Sequence, residues 1–259
     1  MREINAIFTI ALRDLTKLIR DRVRLIMSLV FPVIFIGIFG GTFQANVGNK
    51  LGFDPILFVF TGVFAQVLWQ STASGIISLI EDRENDFSQE IFVSPISRYT
   101  IIFGKILGET LVAYAQIVGV LLFGILFGVH LSIGQILLLL VIGIIPALYG
   151  GAFGTLVLAN LGNQRSANQL FPFLIFPQFF LSGIFNPVIN LPPILFILSR
   201  IAPMTYAVDF IRSVLYLGRP EYSKVVIYNP LIDFTIMAGL FVIFLSVGTY
   251  LFVRNERNR

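Results

Sequence analysis

The chain has 259 residues, of which 56% are hydrophobic and 12% are charged, and its mean hydropathy is +0.88. A water-soluble chain carries about 25% charged residues, so most of this surface must face lipid and soluble enzymes are excluded. The chain has no cysteine and a single histidine, His130. We therefore expect an all-α membrane protein with no catalytic residues and no metal site. The net charge of +4 is interpreted as a membrane-orientation signal, and no nucleic-acid partner is expected.

Residues 1–24 are predicted to form an amphipathic helix at the membrane surface. Apolar residues recur there at helical spacing, namely Ile4, Ile7, Phe8, Ala11, Leu12, Leu15, Ile19 and Val23. The opposite face holds Arg13, Asp14, Lys17, Arg20, Asp21 and Arg24. We expect that charged face to lie in water while the apolar face enters the headgroup layer. The alternative is a core-facing helix of a soluble tail, but no other soluble segment is large enough to bury it.

Six membrane-spanning helices are predicted, because a bilayer core of about 30 Å needs about 20 apolar residues. Five apolar runs reach that length, at residues 25–44, 56–80, 106–129, 136–161 and 231–253. A sixth run, residues 170–187, is shorter and contains Pro172 and Pro177, which neighbouring helices can accommodate.

Residues 188–218 are predicted to form two re-entrant half-helices that open outward before the last span. Their prolines leave only short apolar lengths, and Arg200, Asp209 and Arg212 make a full crossing costly. Asp209 and Arg212 are three residues apart on one helix face. They are expected either to pair with each other or to line an outer gate.

The distribution of lysine and arginine predicts that both termini are cytoplasmic. With the N-terminus inside, thirteen basic residues fall in inner segments: Arg2, Arg13, Lys17, Arg20, Arg22, Arg24, Arg83, Arg98, Lys105, Arg165, Arg254, Arg257 and Arg259. Five fall in outer segments: Lys50, Arg200, Arg212, Arg219 and Lys224. Termini on one side require an even number of spans, so the proline-containing run is counted as a crossing.

The inner loop from Glu81 to Arg98 is acidic, which is unusual beside an anionic leaflet. Its acidic residues are Glu81, Asp82, Glu84, Asp86 and Glu90, and its apolar residues include Phe87, Ile91 and Phe92. This composition favours docking on a basic protein surface. The alternative is a solvated helix end whose charges keep it in water.

Two stretches resemble type-2 ABC exporter permeases of the drug- and lipid-exporting branch. Residues 81–105 resemble the first cytoplasmic loop of that family through Glu81, Arg83, Glu84, the apolar residues 91–93, Ser94, Pro95, Arg98, Gly104 and Lys105. The family's signature before the last span is matched by Ser182, Gly183, Pro187, Leu191, Pro192, Pro203, Thr205, Tyr206, Asp209 and Arg212. One departure is Asn85-Asp86, where the family often has Gly-Thr.

The resemblance implies one transmembrane domain, residues 1–259, that works with a second copy of itself and two copies of a cytoplasmic ABC ATPase subunit. Residues 81–105 would then form a coupling loop, with ATPase-coupling residues Glu81, Arg83, Glu84, Phe87, Phe92, Ser94, Pro95 and Arg98. The half-helix segment would hold the candidate outer-gate residues Pro203, Tyr206, Asp209 and Arg212. No cofactor is expected in this chain, since Gly104-Lys105 lacks the surrounding pattern of a phosphate-binding loop. ATP and Mg²⁺ would bind the partner ATPase, and the expected location is the cell membrane.

Polar residues are few within the predicted spans, which favours an amphiphilic or hydrophobic solute, drug-like or lipid-like, exported from the cytoplasm or the inner leaflet. They include Gln66, Gln70, Ser71, Glu109, Tyr114 and Gln116. Phe173, Phe176 and Phe180 belong to an aromatic stripe that either lines a cavity or faces lipid and core. Four glycine pairs either mark a dimer seam or pack helices within one chain: 37 and 41, 104 and 108, 124 and 128, and 150 and 154.

Three other functions remain alternatives. A polysaccharide or glycolipid exporter of the same superfamily would be expected to have polar or aromatic residues along a continuous channel. A membrane transferase would need two opposed acidic clusters for Mg²⁺-diphosphate, and only one dense cluster is present. A non-transport membrane scaffold is the third alternative, and an effect of this chain on the hydrolysis rate of a co-purifying ATPase would distinguish it.

Overall fold

The computed structural model describes residues 2–84, 96–158, 161 and 163–257. Every regular element in these ranges is helical, which confirms the all-α fold class. The α-helices are α1 (Arg2–Arg20), α2 (Arg22–Ile34), α3 (Gly41–Leu51), α4 (Pro55–Gly75), α5 (Ser78–Glu84), α6 (Arg98–Leu126), α7 (Ile133–Ile142), α8 (Ile144–Leu158), α9 (Gln164–Leu181), α10 (Pro193–Ile201), α11 (Pro203–Leu215), α12 (Tyr222–Val225) and α13 (Pro230–Arg257). A π-helix, Phe35–Gly40, joins α2 to α3, and a 3₁₀ turn, Val188–Asn190, precedes α10.

Five segments of the described chain are long and apolar enough to cross a membrane: Leu25–Asn46, Pro55–Asp82, Arg98–Leu126, Ile133–Val157 and Tyr222–Asn255. Helices α10 and α11 form a pair bent by 91°, which brings the number to six if the pair is one span. The predicted half-helices are therefore present as a bent pair. The predicted sixth span, residues 170–187, lies largely in α9, whose 18 residues correspond to about 27 Å of helix, but α9 is not among these five segments.

Helix α4 lies at the centre of the bundle and packs against α6, α8 and α11. Its start is well defined, because the Asp54 side chain accepts hydrogen bonds from the backbone N–H groups of Ile56 (2.9 Å) and Leu57 (3.3 Å) and Pro55 occupies the first turn. Almost every residue of α4 is buried. A helix that is apolar on all sides belongs in the core, so α4 fixes the position of its neighbours.

Close contacts between helices occur at glycines. A Cβ atom on Gly150 or Gly154 of α8 would lie 2.1 Å from the Trp69 carbonyl oxygen or 2.3 Å from that of Ala73, both on α4. Gly104 and Gly108 of α6 face α1 in the same way, since their Cβ positions are 3.2 and 3.1 Å from Cα atoms of that helix. These two glycine pairs therefore pack helices within the chain.

We expect Gly154→Ala to lower the thermal stability of the purified protein, because the added methyl would press against the α4 backbone. Overpacking of this kind costs about 1–3 kcal/mol. The control is Gly239→Ala on α13, whose Cβ position has nothing within 4 Å. Thermal unfolding of both variants in one detergent tests the prediction, and equal midpoints for Gly154→Ala and the wild-type protein would contradict it.

Helix α1 is the predicted amphipathic helix, and it packs along α6. Ile4, Phe8, Leu12 and Ile19 are all more than half exposed on the chain, so this stripe is available to lipid. The exception to the predicted charged face is Asp14, which is buried. Its position is set by a buried lysine on α6, which helical periodicity in α1 alone does not reveal.

Candidate functional site

A buried group of charges lies where α1 meets α6. The Nζ atom of Lys105 is 2.6 Å from Oδ2 of Asp14 and 3.1 Å from Oε1 of Glu109. All three side chains are at most 3% exposed. Such a cation is stable at this depth only with well-placed anions, so the three groups depend on one another.

The same group extends to the end of α5. Arg13 binds Asp14 at 3.1 Å and also forms an ion pair with Asp82, while Nζ of Lys17 is 3.0 Å from Oδ1 of Asp82. Burial by itself lowers the pKa of Arg13, but Asp14 and Asp82 outweigh it and hold that pKa above its ordinary value. The inner charge network, defined as Arg13, Asp14, Lys17, Asp82, Lys105 and Glu109, therefore fastens α1 to both α5 and α6.

Small residues make room for these carboxylates. A Cβ atom on Gly75 would lie 2.0 Å from Oε2 of Glu109, and one on Gly108 would lie 2.9 Å from Oδ2 of Asp14. The Ser78 hydroxyl donates a hydrogen bond to Oε1 of Glu109 at 3.3 Å. The network thus depends on the glycine positions as well as on the charges.

The predicted ATPase-coupling residues lie next to this network or outside the described chain. Glu81 is exposed on α5 and lines a cavity of about 580 Å³ together with Asp14, Lys17, Lys105 and Glu109. Arg98 is half-buried at the start of α6. For Arg83 and Glu84 the structure describes the backbone but not the side chain. The other predicted residues, Phe87, Phe92, Ser94 and Pro95, lie entirely outside the described residues.

A cavity of about 390 Å³ lies between α2, α4 and α6. We call it the polar cavity, because the amides of Gln66, Gln70 and Gln116 and the hydroxyl groups of three serines face it. Its full lining is Met27, Ser28, Phe31, Pro32, Gln66, Val67, Gln70, Ser71, Ser74 and Gln116. Polar residues that the sequence places on two different spans therefore meet at one site.

A second cavity, of about 260 Å³, lies between the α4–α5 span and α9. We call it the apolar cavity, and it is lined by Gln70, Ser74, Ile77, Asn168, Phe171, Pro172, Ile175, Phe176 and Phe179. Gln70 and Ser74 line both cavities, so the two adjoin.

The structure divides the three predicted cavity phenylalanines. All three are more than half exposed on the chain, at 80% for Phe173, 61% for Phe176 and 58% for Phe180, but of the three only Phe176 is in the lining of the apolar cavity. The three residues nevertheless share one face of α9, since they are spaced by three and four residues, and the ring centres of Phe176 and Phe180 are 5.5 Å apart. The aromatic wall is supplied instead by Phe171, Phe176 and Phe179.

The predicted outer residue Arg212 holds α11 against α4. Its Nη2 atom donates to the Phe58 carbonyl at 3.2 Å, and its guanidinium lies 3.7 Å from the centre of the Phe58 ring. Its Nε atom is 3.4 Å from the Thr61 hydroxyl oxygen. Gly62 makes this approach possible, since a Cβ atom there would lie 2.9 Å from Cα of Ile184 and 3.2 Å from Nη2 of Arg212.

Asp209 points to a different neighbour. Its carboxylate accepts backbone hydrogen bonds from Ile227 at 2.9 Å and from Tyr228 at 2.7 Å. The carboxyl group of Asp233 on α13 lies beside it. Among the ion pairs of the described residues, none joins Asp209 to Arg212. The two side chains therefore fasten α11 to separate parts of the bundle.

The two other predicted outer residues hold the bend between α10 and α11. The Tyr206 hydroxyl donates to the Arg200 carbonyl at 2.7 Å, and Pro203 begins α11. The next residue, Met204, donates its backbone N–H to Oε1 of Gln178 on α9 at 3.1 Å. Pro203, Tyr206, Asp209 and Arg212 thus share one short helix whose contacts run to four other segments.

Sequence reasoning missed the role of Asp14, Lys105 and Glu109 as one group. Part of the signal was present, because Lys105 and Glu109 are four residues apart on an apolar helix and this spacing predicts an ion pair. Asp14 lies 91 residues from Lys105 and could be assigned only from the packing of α1.

The fold and these sites define a multi-pass membrane protein with internal cavities, and comparison with known proteins shows its class. The model of the ABC-2 type transporter family matches residues 5–216. A putative transport permease, ycf38 of Cyanophora paradoxa, is 26% identical over 223 residues, which cover 81% of this chain and 73% of the relative. The inner membrane transport permease YadH of Escherichia coli K12 is 28% identical over 222 residues, which cover 82% of this chain and 84% of the relative.

The chain therefore belongs to the ABC-2 type transporter family. The resemblance seen in the residue patterns of 81–105 and 182–212 is confirmed at the level of the family, and a multi-pass inner membrane permease is supported by the relative from E. coli.

Proposed function

We propose that this chain is the permease subunit of an ATP-driven exporter that moves an amphiphilic or hydrophobic compound, drug-like or lipid-like, out of the cytoplasm or the inner leaflet. Family membership supports the transport role. The observation that carries the proposal for the solute is the apolar cavity, whose wall is formed mainly by Phe171, Ile175, Phe176 and Phe179. Apolar and aromatic walls of this kind bind compounds that partition into lipid.

The transporter would contain two copies of this chain and two copies of a cytoplasmic ABC ATPase, which would bind ATP and Mg²⁺. Residues 81–105 would contact the ATPase, since the acidic and apolar residues of this stretch match the family's coupling loop. Asp82 joins that stretch to Arg13 and Lys17, and Lys105 joins it to Asp14. A displacement of the loop would thus move α1, α5 and α6 together.

To test the coupling role, Phe92→Asp and Glu84→Lys are each expected to weaken ATPase association or to uncouple hydrolysis from transport by about tenfold or more, because they remove apolar contact or reverse charge at the docking surface. Ser223→Asp, at an exposed position on α12 and outside this stretch, is the control. Pull-down, ATP hydrolysis and vesicle transport are measured on the same preparations. Normal values in both variants would exclude the loop from the coupling mechanism.

The proposed location is the cell membrane with both termini in the cytoplasm. Because the chain has no native cysteine, single cysteines can be introduced at exposed positions. A membrane-impermeant thiol reagent applied to intact cells should label cysteines placed at His130 and Ser223 and should not label those at Tyr99 and Asn255. The reverse pattern would show that the orientation is inverted, and permeabilised cells provide the control for reactivity at all four positions.

A further inference from the structure

The polar cavity contains a buried amide with an unused acceptor. Gln66 is 3% exposed, and its Nε2 atom donates to Oε1 of Gln70, whereas its own Oε1 atom has no hydrogen-bond partner. A buried acceptor without a partner costs free energy, and buried polar groups normally have partners. Gln66 therefore carries an unused acceptor in the wall of this cavity, and a turn of its side-chain amide would present that acceptor to a bound donor.

The other polar groups of the polar cavity are also uncharged. Gln70, Gln116, Ser71 and Ser74 supply amides and hydroxyl groups, which both donate and accept hydrogen bonds. None of the described residues that line this cavity is charged. A charged ligand would lose its hydration here without gaining a counter-ion, whereas a neutral ligand with donors and acceptors would replace its bonds to water.

The apolar cavity and the polar cavity share part of their walls. Gln70 and Ser74 belong to both linings, and beyond them the wall consists mostly of Phe171, Ile175 and Phe179. Together the two volumes, about 390 and 260 Å³, fall within the range of small-molecule sites. Their arrangement matches a molecule with a polar head at one end and an apolar body at the other.

We infer that the two cavities form one bipartite site for an uncharged amphiphile. The hydrogen-bonding head, of amide, ester or hydroxyl chemistry, binds at Gln66, Gln70 and Gln116, and the apolar body lies against the aromatic wall. This inference rests on the proposed transport function and specifies its solute as neutral rather than cationic or anionic.

The single tryptophan of the chain, Trp69, is adjacent to Gln70 and provides a local fluorescent reporter. The full-length protein in phosphatidylcholine nanodiscs is titrated with three brominated probes that quench tryptophan: 12-bromododecanamide, 12-bromododecylammonium and 1-bromododecane. We expect the amide to bind at least tenfold more tightly than the ammonium. Gln66→Leu and Gln70→Leu should each weaken amide binding by about two- to tenfold, the effect of one or two lost hydrogen bonds.

Gln44→Leu, at an exposed position on α3, is the matched control and should leave all three titrations unchanged. Unchanged quenching by 1-bromododecane in the Gln66 and Gln70 variants shows that they are folded.

The inference would be overturned by equal affinity for the amide and the ammonium, or by amide binding that neither variant changes. A further outcome is that amide binding depends on the two glutamines while the amide fails to stimulate ATP hydrolysis in the assembled complex. That result would support the binding site and contradict the transport role. If only a charged compound stimulated ATP hydrolysis, the transport role would be supported and the proposal of a neutral solute would be contradicted.

Discussion

Lys105→Met should destabilise the protein by about 3–5 kcal/mol, because it removes the buried ammonium from Oδ2 of Asp14 and Oε1 of Glu109, although the bond from Arg13 to Oδ1 of Asp14 stays. The three groups are nearly inaccessible to water, so solvent cannot replace the lost ammonium. Denaturant unfolding of the purified protein measures the loss. On the proposed function, we also expect reduced coupling of ATP hydrolysis to transport, since α1 loses its ion pair with α6.

Lys17→Met is the control, because its side chain is 52% exposed and pairs at the edge of the same network. An exposed pair contributes about 0–1 kcal/mol, so the control should unfold close to the wild-type midpoint. A triple variant, Lys105→Met with Asp14→Asn and Glu109→Gln, removes the uncompensated charge and should recover much of the stability. Wild-type stability of Lys105→Met alone would show that the buried charges are not interdependent.

Arg212→Ala should cost about 3–5 kcal/mol, through the cavity that it leaves and the loss of a donor to the Phe58 carbonyl. Arg212→Lys retains the charge but loses the planar guanidinium over the Phe58 ring, so its effect should be smaller but measurable. Both variants are compared by thermal unfolding and by export rate. If α11 also acts as an outer gate, the lysine variant should change export more than it changes stability.

Arg219→Ala tests whether the effect is specific to the buried arginine. Arg219 is partly exposed just after α11, with its guanidinium 5.5 Å from the Tyr216 ring. A contact of this kind at an exposed site contributes about 0.5–1 kcal/mol. A loss as large as that of Arg212→Ala would argue against the specific role of the Phe58 contact.

The positions of most membrane helices could be predicted from the sequence, because each needs a long apolar run and such runs are evident. The bent pair was also predictable, since prolines and charges interrupt the apolar stretch at 188–218. The sequence does not show which face of each span meets a neighbouring helix. Apolar residues occur on every side of α4 and α8, so periodicity cannot show which of them meet a neighbour.

The candidate sites depend on that missing information. Gln66 and Gln116 are visible as rare polar residues, but their convergence on one cavity follows from how α4 and α6 pack. Arg212 and Asp209 are three residues apart and invite the interpretation of a local pair. Their actual partners lie far away in the chain, at Phe58 and at Ile227 with Tyr228, and tertiary contacts decide between these arrangements.

The hydrogen bond from Met204 to Gln178 has a mechanical consequence. Gln178 is on α9, the helix that also supplies Phe171, Ile175 and Phe179 to the apolar cavity, and its own Nε2 atom donates to the Leu174 carbonyl at 2.9 Å. Breaking the contact with Met204 would strand a buried backbone N–H, at a cost of about 1–3 kcal/mol. A tilt of α9 would therefore displace the first turn of α11, unless this hydrogen bond broke. The contact thus couples the helix that lines the apolar cavity to the helix that carries Asp209 and Arg212.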